Sequence, residues 1–70
     1  MFDADFEVID TITVGSVEEA DMIVHNDEVV SVNTVFDNGD MFRIEATNMY
    51  GDSVAFEADP FADVLLVAWA

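Results

Sequence analysis

The chain has 70 residues, with sixteen Asp and Glu residues against a single Arg and no Lys, and a formal net charge of −15. Domains usually have about 100–150 residues, so residues 1–70 are predicted to form one small domain. The hydrophobic content of 53% excludes the disordered class, which combines high net charge with low hydrophobicity. One cation cannot neutralise a run of phosphates, which excludes direct binding to nucleic acid or to an anionic membrane surface.

The first half of the chain predicts three strands, because β-branched and aromatic residues occur in short runs that end at Gly, Asn or Asp. The first strand covers Phe6 to Val14, the second Met22 to His25, and the third Glu28 to Phe36. Alternation along the first strand, with an exception at Asp10, predicts one apolar face. The residues of that face are Phe6, Val8, Ile12 and Val14.

Two hairpins are predicted in the second half of the chain. Asn38-Gly39 lies between two apolar alternating runs, and this pair favours a two-residue type I′ turn because both residues tolerate positive φ. The strand that follows, Met41 to Thr47, alternates cleanly between apolar and polar residues. A second, longer loop covers Asn48 to Asp52, with Gly51 as the expected left-handed residue.

Two further strands complete the pattern, Ser53 to Glu57 and Val64 to Trp69. They are separated by a turn at Pro60, which cannot donate a hydrogen bond to a neighbouring strand. Five or six short strands at this spacing predict an all-β fold, a small antiparallel barrel or sandwich. The barrel is favoured because its closure removes exposed strand edges.

Turn residues and valines have a characteristic spacing over about residues 12–67. The segments that carry it are Val14-Gly15, Asp21-Met22-Ile23-Val24, Glu28-Val29-Val30-Ser31-Val32, Asn38-Gly39-Asp40-Met41-Phe42-Arg43-Ile44 and Gly51-Asp52-Ser53-Val54. This pattern resembles small SH3-like β-barrel proteins, which include KOW-type and translation-factor-type domains and many small bacteriophage barrel proteins. The resemblance implies a five- to six-stranded antiparallel SH3-like barrel. KOW-type domains carry Lys and Arg for RNA, and this chain has only Arg43, so the fold alone is carried over.

No catalytic residue is predicted, because nucleophilic catalysis needs a nucleophile, a base and an orienting group together. The chain has one His, three Ser and no Cys. His25 ends a strand beside Asn26, and without partners it is not expected to act in catalysis or metal binding. The oxygen-rich turn Asp37 to Asp40 lacks the length and the terminal Glu of an EF-hand loop. We therefore expect no enzyme activity, no metal and no cofactor.

The acidic residues form the predicted binding surface. A net charge of about 2–8 suffices for the solubility of a small domain, and a larger charge destabilises the compact chain by self-repulsion. A net charge of −15 therefore indicates a role beyond folding. The candidate partner-binding residues are Asp3, Asp5, Glu7, Glu18, Glu19, Asp21, Asp52, Glu57 and Asp59.

Three accounts of this acidity stay open. In the first, carboxylates imitate phosphates, so that the protein occupies the basic nucleic-acid-binding surface of a protein partner and inhibits it. A small, acidic chain without Lys resembles phage-encoded DNA mimics and anti-defence proteins in composition. In the second account the acidity is an adaptation to molar salt, where charges are screened within about 3 Å. In the third, the chain is a structural or accessory module of a virion or larger assembly.

The last predicted strand lacks the polar residues that alternate in a half-exposed strand. Either the loops of the barrel, with Phe2 and Phe61, cover both faces, or one face docks a partner or, in a homodimer, a second copy. The residues of this candidate apolar interface are Leu65, Val67 and Trp69, and Trp is a frequent interface anchor.

The location of the protein is predicted from the absence of targeting signals. The acidic start, Met1 to Asp5, is unlike the basic start of a signal peptide. The longest apolar run, Val64 to Ala70, is far shorter than the ~20 residues that span a bilayer. We expect a cytoplasmic protein, in the host cytoplasm if it is phage-encoded, or a virion component.

Overall fold

The computed structural model describes residues 6–69 and places them in one antiparallel sheet of six strands, which confirms the all-β prediction. Within this range a 3-10 turn, Val14–Ser16, is the one helical element, and no helix there is long and apolar enough to cross a membrane. The strands are β1 (Phe6–Thr13), β2 (Met22–His25), β3 (Glu28–Asp37), β4 (Phe42–Asn48), β5 (Ser53–Ala58) and β6 (Asp63–Trp69).

The strands lie in the order β1-β6-β2-β3-β4-β5, so the last strand of the chain is an interior strand of the sheet. Strands β2 to β5 form a meander, whereas β6 returns to pair with both β1 and β2. Strands β1 and β5 are the edges, and within residues 6–69 no strand pairing joins them. The sheet is therefore not closed into a barrel by hydrogen bonds.

The sheet is nevertheless strongly curved. Only residues 59–62 connect β5 to β6, although a flat sheet would hold these strands four spacings, or about 19 Å, apart. The ring of His25 on β2 also stacks on the ring of Phe56 on β5, with centroids 3.8 Å apart. Because β3 and β4 lie between β2 and β5, both observations require the sheet to curl until β5 faces β2.

Apolar side chains are buried on both faces of the sheet. The larger cluster consists of Val14, Val17, Ile23, Val30, Val32, Ile44 and Ala46. The smaller cluster consists of Phe6, Val29 and Val67, with Met22 and Val24 packed against it. Met22 pairs with Val67, and the next residue, Ile23, pairs with Leu66. Because paired residues share a face and successive residues alternate, the two clusters lie on opposite faces of the β2–β6 pair.

A β-bulge interrupts the edge strand β1. Val8 and Asp10 pair with consecutive residues of β6, which makes Ile9 the extra residue. The bulge moves the following residues to the other face, so Phe6 belongs to the smaller cluster and Ile12 packs against the larger one. The prediction of a single apolar face along this strand is therefore wrong, and Val8 is 46% exposed.

The type I′ geometry occurs in a different hairpin from the one predicted. Asn26 and Asp27 join β2 to β3 with φ of 51° and 63°, the two left-handed residues that a type I′ turn requires. A hairpin exists at Asn38-Gly39, but φ there is positive only at Gly39, at 90°. Its loop is four residues long, and the Asp37 carboxylate accepts the Gly39 N–H at 2.9 Å. The predicted hairpin position is thus confirmed, whereas the two-residue turn is wrong.

The β4–β5 hairpin follows the sequence prediction. Gly51 has the expected left-handed conformation, with φ of 86°. The side-chain oxygen of Asn48 accepts the N–H groups of Tyr50 and Asp52 at 2.9 and 3.0 Å. This one amide therefore fixes the loop that the sequence predicts over the same residues.

Candidate interaction surface

The loop between the 3-10 turn and β2 carries the first group of predicted acids. The Asp21 carboxylate accepts the Glu18 N–H at 2.9 Å. The Ala20 N–H donates to the Val32 carbonyl, and the Val32 N–H donates to the Asp21 carbonyl, both at 2.8 Å, which fixes the loop to β3. Glu18 and Glu19 are exposed, whereas Asp21 is half-buried and its carboxylate serves the loop itself.

The second group of predicted acids lies on β5 and in the turns at its two ends. Asp52 and Glu57 are exposed, and Glu57 lies opposite Arg43 in the register of β4 and β5. The Asp59 carboxylate accepts the Phe61 N–H at 2.8 Å, so this acid has a structural role in the β5–β6 turn. Asp52 and Asp59 flank the full length of β5, about 23 Å apart at the usual strand rise. The predicted acids are therefore distributed over the surface rather than gathered in one compact site.

The third group of predicted acids lies at the start of the chain. Glu7 is exposed on β1, next to the buried Phe6. Asp3 and Asp5 lie outside the described residues. Their place in the binding surface thus stays a prediction.

Little positive charge offsets the acids within residues 6–69. Fourteen of the sixteen acids lie in this range, of which twelve are exposed, two are half-buried and none is buried. The one ion pair there joins the Arg43 guanidinium to the Glu45 carboxylate at 3.6 Å, with both side chains more than 40% exposed. Exposed pairs of this kind contribute only about 0–1 kcal/mol. The described surface is therefore almost uniformly negative.

The apolar candidate interface on β6 is only partly at the surface. Leu65 and Trp69 are 37% and 61% exposed, but Val67 is 3% exposed and belongs to the smaller core cluster, so its prediction as an interface residue is wrong. The Trp69 ring packs on the Phe6 ring, with centroids 4.3 Å apart. Because β6 has paired strands on both sides, it offers a partner a face and not an edge.

Sequence reasoning missed several exposed apolar side chains. Val8 and Ile9 are 46% and 56% exposed on β1, where the bulge turns the strand. Tyr50 and Phe61 are each 85% exposed, in the β4–β5 and β5–β6 turns. A signal for these two aromatic residues was available, since each stands beside a Gly or Pro turn residue.

One depression among the described residues is small. It has a volume of about 190 Å³ and is lined by Asn33, Glu45, Ala46, Ser53, Val54 and Ala55. The Asn33 amide donates to the Thr47 hydroxyl at 2.8 Å. His25 contacts the Asn26 amide at 3.3 Å and stacks on Phe56. Nowhere in residues 6–69 do three or more His, Asp or Glu side chains form a group that could hold a metal ion.

Comparison of the chain with known proteins gave no match to a family model, a curated protein or a solved structure. The surface of this chain is therefore the only basis for inferring its function. That surface has two features, the exposed carboxylates and the exposed apolar side chains.

Proposed function

We propose that this protein is a non-enzymatic binding protein that inhibits another protein by occupying its basic nucleic-acid-binding surface. The observation that carries this proposal is the surface charge of residues 6–69, where twelve acids are exposed and the one ion pair joins Arg43 to a half-buried acid, Glu45. Carboxylates form charge-assisted hydrogen bonds with Arg and Lys, as phosphates do. The expected partner is therefore a basic protein, and nucleic acid itself is not bound.

The mechanism has two steps. A uniformly negative surface attracts a positive cleft over a long range and raises the rate of encounter. Carboxylates then take the place of phosphates beside the Arg and Lys side chains of the partner. Glu18 and Glu19 suit this step because their loop is already fixed to β3, so binding orders little additional backbone.

We also infer that β2 to β6 form an SH3-like barrel, with β1 added beside β6. The sheet order, the four-residue connection from β5 to β6 and the contact between His25 and Phe56 support this inference. Such a barrel would hold the charges on a rigid support, although a fold by itself does not define a function. A cytoplasmic location, in the host cytoplasm for a phage-encoded protein, suits this activity.

A second candidate function is supported by the exposed apolar face of β6. Leu65 and Trp69 would dock the chain into a larger assembly such as a virion, or against a second copy in a homodimer. A net charge of −15 on each copy opposes dimerisation at low salt, so a homodimer would form more readily as the salt concentration rises.

The proposed function is tested by retention of host proteins on the immobilised chain at about 50 mM and about 500 mM salt. We expect basic nucleic-acid-binding proteins to be retained at low salt and released by high salt or by excess DNA or RNA. The matched control is a variant with Glu18→Gln, Glu19→Gln, Asp52→Asn and Glu57→Gln, which keeps side-chain shape and removes four charges. Retention of no basic protein, or retention that nucleic acid does not reverse, would contradict the proposal.

Thermal unfolding in about 0.1 M to about 3 M KCl separates this function from salt adaptation. Under the proposal the chain is folded at the lowest salt concentration. If the chain folds only in molar salt, its acidity is instead an adaptation to a high salt concentration in the cell.

A further inference from the structure

The turn between β5 and β6 displays an apolar ring that the fold does not use. Phe61 is 85% exposed at the tip of this turn. Tyr50 is equally exposed in the preceding turn, but its hydroxyl can hydrogen-bond to water. Phe61 has no polar atom in its side chain, so neither packing nor solvation accounts for its position.

Phe61 stands on a rigid backbone. The Asp59 carboxylate accepts the Phe61 N–H at 2.8 Å, and the Asp59 carbonyl accepts the Ala62 N–H at 3.0 Å. The carbonyls of Pro60 and Ala62 accept N–H groups of the 3-10 turn at 2.9 and 2.8 Å. A Cβ atom at Gly15 would lie 3.2 Å from the Pro60 carbonyl oxygen, so the two segments are in close contact. The ring is thus presented on an ordered turn, which lowers the entropy cost of binding it.

Carboxylates accompany this ring. Asp59 precedes Phe61 by two residues and Asp63 follows it by two, and both are exposed. An exposed apolar ring with an acidic residue two positions away on each side in the chain has the same elements as an unstacked nucleotide with its phosphates. Proteins that bind single strands take up such nucleotides in a basic groove where the bases stack on aromatic side chains. Proteins that bind duplexes mainly contact phosphates and the edges of paired bases, and these surfaces offer a projecting ring no stacking site.

We propose that Phe61, with Asp59 and Asp63, imitates an unstacked nucleotide and enters the base-stacking site of a single-strand nucleic-acid-binding protein. This inference rests on the function proposed above and narrows its partner class. Base stacking on aromatic side chains tolerates any base, because every base has a π face, and a phenyl ring meets the same requirement. Charge complementarity favours a basic groove as the occupant of this surface, and the exposed Phe61 ring favours a groove with an aromatic platform.

The test is displacement of fluorescent oligonucleotides from two sets of purified basic proteins, followed by fluorescence anisotropy. One set binds labelled oligothymidylate by base stacking, and the other binds a labelled duplex through phosphate contacts. We expect the wild-type chain to displace the oligothymidylate and not the duplex. Phe61→Ala should raise the concentration for half-displacement by about tenfold or more, as the loss of one stacked base does. Phe61→Trp should keep the wild-type value.

Tyr50→Ala is the matched control, because Tyr50 is as exposed as Phe61 and also stands on a turn held by a side-chain oxygen. It should leave displacement unchanged. Phe61→Ala should keep the wild-type melting temperature and the wild-type salt dependence of displacement. Asp63→Asn should reduce that salt dependence, because it removes a charge and leaves the ring in place.

Two outcomes would overturn the inference in distinguishable ways. If the wild type displaces oligothymidylate and Phe61→Ala does so equally well, or if duplex is displaced equally well, the stacking role is wrong and the acidic-surface function stands. If the wild type displaces neither probe from any protein of either set, both the inference and the proposed function are wrong.

Discussion

The ring of His25 lies parallel to the ring of Phe56, with planes 6° apart and centroids 3.8 Å apart. Their strands, β2 and β5, are separated by two other strands in the sheet order, so this contact exists only because the sheet curls. The sole His of the chain is therefore a packing residue that helps to hold β5 over β2.

Removal of this ring should weaken the fold. We expect His25→Ala to lower the free energy of unfolding by about 1–2 kcal/mol, since stacked aromatic pairs contribute about 0.5–1.5 kcal/mol beyond their buried area. Urea denaturation followed by Trp69 fluorescence measures the change. His25→Phe keeps a stacked ring and should remain near the wild-type stability. Equal stability of His25→Ala and the wild type would mean that the stack does not hold the curve.

In the hairpin between β3 and β4, Gly39 has a positive φ and its neighbour Asn38 does not, although the sequence predicts a positive φ at both. Gly39→Val should cost at least about 1–2 kcal/mol, because φ is 90° there and a β-branched residue is strained in that conformation. Asn38→Val should cost clearly less, because φ at Asn38 is not positive. Denaturation midpoints of the two variants provide the comparison. An equal loss of stability in the two variants would support the two-residue turn that Asn-Gly predicts.

The acids should fall into two classes on substitution. Asp21→Ala and Asp59→Ala each remove a carboxylate that accepts a backbone N–H, and should lower stability by about 1 kcal/mol. Glu18→Ala and Glu19→Ala remove the same charge from exposed side chains and should leave stability unchanged or slightly increased. Chemical denaturation of the four variants at one salt concentration measures the difference. Asp59→Asn is the control, because it keeps an acceptor oxygen, and its stability should exceed that of Asp59→Ala.

The side chain of Asp10 protects the edge strand β1 from pairing with a strand of another molecule. The Asp10 carboxylate accepts the Thr11 N–H at 2.8 Å, directly after the bulge at Ile9, and both features hinder pairing with another strand. We expect Asp10→Val to increase self-association with rising protein concentration, as measured by light scattering. Asp10→Asn removes the charge and keeps the acceptor, and should behave like the wild type. If Asp10→Asn associates as strongly as Asp10→Val, charge and not the hydrogen bond protects this edge.

Trp69 and Leu65 share one face of β6 and should respond differently to truncation. Trp69→Ala removes the ring that packs on Phe6 and should cost about 1–2 kcal/mol. Leu65→Ala should cost less, because it removes a smaller side chain and no ring–ring contact. Molar mass by light scattering tests the same face as an interface. A wild-type dimer that Leu65→Asp dissociates would support pairing of two copies, and a monomeric wild type would leave this face to other partners.

The sequence predicts local structure well, because strands and turns depend on neighbouring residues. Alternation identifies β4, and Gly51 marks its hairpin, because a turn residue at positive φ is recognisable without its surroundings. Because such turn residues are recognisable locally at more than one position, the sequence predicts the type I′ turn in the wrong hairpin. Asn26-Asp27 tolerates the left-handed region almost as well as Asn38-Gly39, and the register of the flanking strands determines where it occurs.

The sequence predicts the sign of the surface charge but not the role of each acid. Net charge is a property of composition, so the negative surface follows from the sequence. Which acids also hold turns, as the Asp21 and Asp59 carboxylates do, depends on where backbone N–H groups lie. No local pattern specifies those distances.

An all-β chain with an apolar core and a negative surface follows from the residue types and their alternation. The place of β6 between β1 and β2, the burial of Val67 and the change of face at the Ile9 bulge are features of the tertiary structure. Local sequence does not specify them, because strand order and register depend on contacts between residues far apart in the chain. Alternation gives each strand two faces, and only packing against distant strands determines which face is buried.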